Sequence, residues 1–278
     1  MRNSLQSHIE ALLDNTHCLH VCRRILWDEC EIEYGEIEDG NNPDSCFIIP
    51  GSLSTALTWE NTAIRFMQCM NGYYFGRLVC VTPFGMGNSK MNNRHHFNVD
   101  SIANAYSELI DAIISPAGKI TIIAHSKADL EALMLCKHLK GKIKGLVLAS
   151  PVMLSEKNIT QALRVLIDNY GKDKDTQLMD RLISVREALR ATLGGIIFQI
   201  KEFNETRNMD LQKYTAEIDF PVLVIGGDHD IESVEYYHKC ANLFSRGSVC
   251  IVEGTTHHFP HYNPDVFTKI VKDWMDSL

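Results

Sequence analysis

The feature that most constrains this chain is a repeated alternation: a short apolar run, an abrupt polar or glycine-bearing exit, then a stretch with helical spacing. The runs are "CFIIPG", "RLVCVTPFGMGNS", "KITIIAHS", "IKGLVLASP", "PVLVIGGDHD" and "SVCIVEGTTHH". Most are separated by helical patterns, notably "DSIANAYSELIDAII", "KADLEALMLCKHL", "EYYHKCANLF" and the terminal "PDVFTKIVKDWMDSL". Apolar runs this short, bounded by turn signals, fit strands buried on both faces. Strands of that kind alternating with helices predict an α/β fold, a mostly parallel central sheet flanked by helices.

Two regions depart from the alternation. Residues 1–26 read as a leading helix, and "ECEIEYGEIE" after them as a strand pair exposed on one face, with Gly35 at a bend or bulge. Between Pro151 and Asp219 the apolar residues take helical spacing with polar faces, which predicts a helical insertion over one rim of the sheet, a lid assigned to residues 152–215. A length of 278 residues suits one domain carrying such an insertion.

Bulk chemistry narrows the function. Hydrophobic residues make up 45% and charged residues 22%, ordinary for a globular protein. The formal charge of −8, without a lysine- and arginine-rich run, argues against nucleic acid as a partner. No stretch has the length and apolarity to span a bilayer or the form of a secretory signal, so no membrane partner and a cytoplasmic location are expected. Nine cysteines, spread irregularly from Cys18 to Cys250, suit a reducing compartment, with Cys46, Cys80, Cys136 and Cys250 as packing residues. The cluster "HCLHVC", with His17, Cys18, His20 and Cys22, lacks a second ligand pair at zinc-site spacing, so no metal is expected.

In a parallel sheet, sites form at the carboxyl ends of strands. The run "ITIIA" delivers Ser126 at a sharp strand-to-helix corner, where the N–H groups of the new helix can stabilise developing negative charge. "PVLVIGG" delivers Asp228 and Asp230, and "SVCIVEG" delivers His257 and His258. Serine, aspartate and histidine in that chain order supply a nucleophile, an orienting carboxylate and a general base. Singly, each has a plainer use: serine as a helix N-cap, aspartate as a turn former, histidine as a loop residue.

At these residues the chain resembles the α/β-hydrolase superfamily, in its cap-bearing branch of small esterases, thioesterases and related acyl hydrolases. The resemblance runs from about Glu29 to Leu278. "FIIPGSLSTALTW" is similar to the family's strand followed by a His-Gly loop ending in Trp, and "CVTPFGMGNS" to its Asp-x-x-Gly-x-Gly-x-Ser stretch. "PVLVIGGDHD" is similar to its acid turn, and "EGTTHHFPHYNPDVF" to its histidine loop. The resemblance implies Ser126 as nucleophile, Asp230 as acid with Asp228 as alternative, and His258 as base with His257 as alternative. Spacing to Pro264 fits His257, whereas "HFP" fits His258. It implies backbone N–H groups of Ser52 and Lys127 as the oxyanion hole, with Gly51, His125 and His257 lining a substrate pocket.

The elbow reads Ala124-His125-Ser126-Lys127-Ala128 where the family usually has Gly-x-Ser-x-Gly, and Pro50 replaces a histidine before Gly51. Lys127 either attracts an acidic substrate or reaches solvent. The expected activity is cofactor-independent cleavage of an ester or thioester of a small to medium acyl group. The alternatives are a non-hydrolytic protein of the same fold (acyltransferase, lyase or ligand sensor) and an interaction protein with a degenerate site. Substrate identity and oligomeric state are not encoded in any motif.

Overall fold

The computed structural model describes residues 19–26, 30–70, 73–90, 98–157, 160–161, 193–206 and 210–278. Their strands are β1 (His20–Ile25), β2 (Glu31–Glu38), β3 (Ser45–Ile49), β4 (Arg77–Val81), β5 (Ile120–His125), β6 (Ile143–Ala149), β7 (Val222–Gly227) and β8 (Gly247–Val252). They form one eight-stranded sheet in the order β1-β2-β4-β3-β5-β6-β7-β8. The β1–β2 and β2–β4 pairs are antiparallel, and every pair from β4 onward is parallel.

Alternate residues of the central strands feed two cores, as a pleat requires. Phe47 and Ile49 of β3 with Ile120, Ile122 and Ala124 of β5 face one way. Cys46, Ile48 and Ile123 face the other. On the first face lie α2 (Val99–Ile113), α3 (Ala128–His138) and α6 (Val234–Ala241). On the second lie α1 (Glu60–Met70) and α8 (Pro264–Asp276), which pack on each other. All six residues of β5 are buried, so the turn that follows emerges from the middle of a rigid, water-free layer. This is the α/β architecture expected from the alternation.

Three expectations are corrected. The leading helix is not formed where it can be checked: residues 1–18 lie outside the described residues, and His20–Ile25 is an edge strand paired with β2. Backbone pairing along a waiting strand edge outweighs weak helical spacing. The "ECEIEYGEIE" segment is one strand rather than a pair, and its centre, Ile32 to Gly35, is buried. Gly35 makes no bend; a Cβ there would lie 2.4 Å from the Leu19 side chain, so the glycine leaves room for packing.

Much of the insertion expected over 152–215 lies outside the described residues. Its described helices are α4 (Leu193–Thr206) and α5 (Leu211–Thr215). The short α7 (Phe259–Tyr262) follows β8. Of His17, Cys18, His20 and Cys22, the first two lie outside the described residues. Among the described residues no group of three or more His, Cys, Asp or Glu is poised to hold a metal. No described helix is long and apolar enough to cross a membrane. Cys46, Cys80 and Cys136 are free and buried, and burial pushes their thiols well above the usual range.

Candidate active site

β5 ends at His125, and Ser126 turns the chain into α3 with φ of +56°. A non-glycine residue held there costs about 1–3 kcal/mol, so the surroundings must enforce it. They do. The Ser126 N–H donates to the Ala149 carbonyl at 2.9 Å, and the Ser126 carbonyl accepts from the Asp129 N–H at 3.2 Å. Gly51 lies directly against the elbow: a Cβ on it would sit 2.9 Å from Ser126 Cβ and 3.0 Å from His125 Nδ1. The alanines at 124 and 128 are accommodated, at 1% and 0% exposure.

The Ser126 hydroxyl meets the imidazole of His257, with Nε2 to Oγ at 2.8 Å. The other nitrogen, Nδ1, lies 2.7 Å from Asp230 Oδ1. Both distances are within the reach a nucleophile, base and orienting acid require. The histidine at this position is therefore His257, not His258. β8 and its Thr255–Thr256 exit carry the chain so that residue 257 faces the elbow, while the next residue turns away to begin α7. The ring of His258 packs instead beside His261 and Tyr262, each at 5.5 Å between centroids. Burial, with His257 beside it, lowers His258 to about 3, so it is neutral near pH 7.

Asp230 rather than Asp228 meets the histidine. Asp228 is exposed, and its carboxylate accepts the Gly254 N–H at 2.7 Å, tying two loops together. The Asp230 side chain is fully covered and accepts from Ser150 Oγ at 2.6 Å as well as facing His257. Burial alone would raise its pKa, but His257 and the hydrogen bond from Ser150 outweigh that and hold the carboxyl well below the usual carboxylate range. Ser150 was not singled out in the sequence. Its signal is its place at the exit of β6 in "LVLASP", and it too has positive φ, +49°.

His125 does not offer its ring to a pocket in the way expected. It is 2% exposed, and its Nε2 lies 2.8 Å from the His257 carbonyl oxygen. A carbonyl only accepts, so that nitrogen carries the proton and His125 braces the loop bearing His257. Burial lowers it to about 3, which keeps the ring neutral. Trp59 and His261 close around it at 5.6 and 5.5 Å.

Lys127 does not reach solvent. Its ammonium donates to Glu131 Oε1 at 2.6 Å, one helical turn on, in a pair exposed only 6% and 1%. Beside it Asp129, fully buried, accepts from the Leu130 N–H at 2.7 Å and the Val152 N–H at 2.6 Å. Burial pushes Asp129 up to about 7 despite those donors.

The loop after β4 is organised by a residue the sequence reading overlooked. Thr82 stands where the similar family stretch has aspartate, and the missing carboxylate arrives from the neighbouring strand as Glu33, 2% exposed. Thr82 Oγ1 donates to Glu33 Oε1 at 3.1 Å and accepts from the Ala56 N–H at 3.1 Å, and Asn88 Nδ2 donates to Glu33 Oε2. The loop meets α4 through two glycines. A Cβ on Gly85, whose φ is +83°, would lie 2.8 Å from Gly195 Cα, and one on Gly195 would lie 1.9 Å from the Gly85 oxygen.

No family model matches the sequence, and no curated protein does. Solved structures do match. A bromoperoxidase from Bacillus anthracis superposes with a TM-score of 0.72 at 15% identity, over 92% of this chain and 100% of its own. An esterase from Exiguobacterium antarcticum gives 0.72 at 14% identity, over 92% and 100%. A membrane phospholipase A gives 0.71 at 18% identity, over 99% and 91%. The chain has the α/β-hydrolase fold. Identities this low establish the fold alone.

Proposed function

We propose that the protein is a serine hydrolase, cleaving an ester or thioester of a small to medium acyl group. The observation that carries this reading is the single imidazole of His257 lying 2.8 Å from Ser126 Oγ and 2.7 Å from Asp230. Ser126 attacks the acyl carbonyl while His257 Nε2 takes its proton. Asp230 holds the Nδ1–H tautomer and stabilises the imidazolium that forms. The tetrahedral oxyanion is met by the backbone N–H groups of Lys127, at the start of α3, and Ser52, on the loop that Gly51 presses against the elbow. His257 returns the proton to the departing alcohol or thiol. Water, activated by the same imidazole, then releases the acyl group. No cofactor enters any step.

The names of several structural neighbours, among them the Exiguobacterium esterase and a serine hydrolase involved in carbazole degradation, are those of hydrolases, which supports the reading. The described part of the 152–215 insertion, with α4 resting on the loop after β4, supports a cap over the site. A stopped-flow assay with 4-nitrophenyl esters tests the mechanism. The expected result is a burst of about one 4-nitrophenolate per protein before steady turnover, abolished by Ser126→Ala. Turnover that survives Ser126→Ala would remove the proposal.

A further inference from the structure

Helix α4 is built against the usual pattern. It exposes Ile196 and Ile197 at 38% and 46%, while burying Gln199 at 5%. Gly195 and Gln199 are one turn apart and share a face. That face is laid on the site: Gly195 touches the Gly85 loop, and Gln199 Oε1 accepts the Leu53 N–H at 3.4 Å. A backbone N–H only donates, so the atom facing it must be the amide oxygen, which fixes the orientation of the carboxamide. Leu53 is two residues beyond Gly51 and has φ of +58°. Its strained geometry is therefore held from above by α4.

The other half of the carboxamide has no partner among the described residues: Gln199 Nε2 is buried without a hydrogen bond. Two buried N–H donors next to the Gly51–Leu53 loop are unfavourable unless something with lone pairs meets them. We infer that Gln199 is a specificity-determining residue, holding the Gly51–Leu53 loop through Oε1 and donating through Nε2 to a hydrogen-bond acceptor on the substrate's acyl chain. The inference rests on the serine hydrolase reading for the position of the acyl group. The substrate class it selects is acyl chains bearing a carbonyl oxygen a few bonds from the scissile centre, over plain alkanoyl chains. A neutral oxygen suffices, because the donor is an uncharged amide.

The test compares 4-nitrophenyl 4-oxopentanoate and 5-oxohexanoate with the pentanoate and hexanoate. The wild type is expected to favour at least one oxo ester over its parent by about tenfold in kcat/KM. Gln199→Leu should bring that ratio to about one. Gln199→Glu keeps an acceptor for the Leu53 N–H and loses the donors, so in the turnover that remains the ratio of oxo to parent ester should likewise fall to about one. No preference in the wild type, or an unchanged preference in Gln199→Leu, overturns the inference. Calorimetric titration of Ser126→Ala protein, with Gln199 intact or replaced by Glu, with the N-methyl amides of the same four acids reads the contact without turnover. Tighter oxo-amide binding that depends on Gln199, in a protein that hydrolyses none of the esters, would leave this inference standing and remove the hydrolase reading. Equal binding of oxo and parent amides would overturn it even in an active hydrolase.

Discussion

Gly51 is the residue on which the elbow most visibly depends. The space its missing side chain leaves is filled by Ser126 Cβ, His125 Nδ1 and the His125 carbonyl, all within 3.1 Å of where a Cβ would stand. Those neighbours belong to a buried strand end and cannot all give way. Gly51→Ala should therefore displace the elbow or the oxyanion loop and lower kcat/KM by about a hundredfold, with a folded circular dichroism spectrum. Activity within a few-fold of wild type would show that the loop yields freely. The same scale shows how far the sequence could be read. Ser126, Asp230 and two adjacent histidines were legible because each follows an apolar strand run. Choosing between His257 and His258 was not, because neighbouring residues at a strand exit differ by a rotation of the backbone that no spacing rule encodes. Glu33 and Gln199 carry no such signal, because each acts through a partner many positions away.

At the scale of elements, α3 opens on a buried N-cap, Lys127, and a first turn with Asp129 and Glu131 also buried, unusual for a core helix. The acidic pair suits the positive end of the helix dipole, and the Lys127–Glu131 ion pair neutralises one of them. Breaking a buried pair leaves an uncompensated charge. Lys127→Met should therefore destabilise the protein by about 3–5 kcal/mol, whereas the double change with Glu131→Met should recover most of that loss. Chemical denaturation of the single and double variants checks this, and equal losses in both would contradict it. A lysine beside a serine turn carries no local sign that its partner four residues on, Glu131, is buried with it. Asp129 on the same turn is tied to the loop after β6 by the Val152 N–H. The edge strand β1 was missed because its exposed residues carry no apolar period, and only pairing with β2 identifies it.

The whole molecule follows from the alternation of runs and helices, which predicted the parallel sheet, its two covered faces and the rim where the site lies. The strand order, with β3 inserted between β4 and β5, was not available from any local signal. A global consequence is the response to acid. His125 and His258 are held neutral to about 3, and burial lowers His261 well below the usual range too, whereas the unfolded chain protonates them below about 6.5. Stability from these groups is therefore lost as pH falls from about 6.5 toward about 3. Asp129, raised to about 7, acts oppositely, favouring the folded state more as pH falls from about 7 to about 4. Three histidines outnumber one aspartate, so stability should drop between pH 6.5 and pH 4.5, by about 1.4 kcal/mol per pH unit for each net proton. Urea midpoints across that range check the sign, and a flat or rising profile toward acid would contradict it.

The central claim is that His257, not its neighbour, makes one hydroxyl reactive. Peptide mapping after treatment with a fluorophosphonate tests it most directly. A covalent adduct on Ser126 is expected in the wild type and in His258→Ala, with labelling slowed by about a thousandfold or more in His257→Ala. An unlabelled Ser126 in the folded wild type, or labelling that persists without His257 and fails without His258, would contradict it.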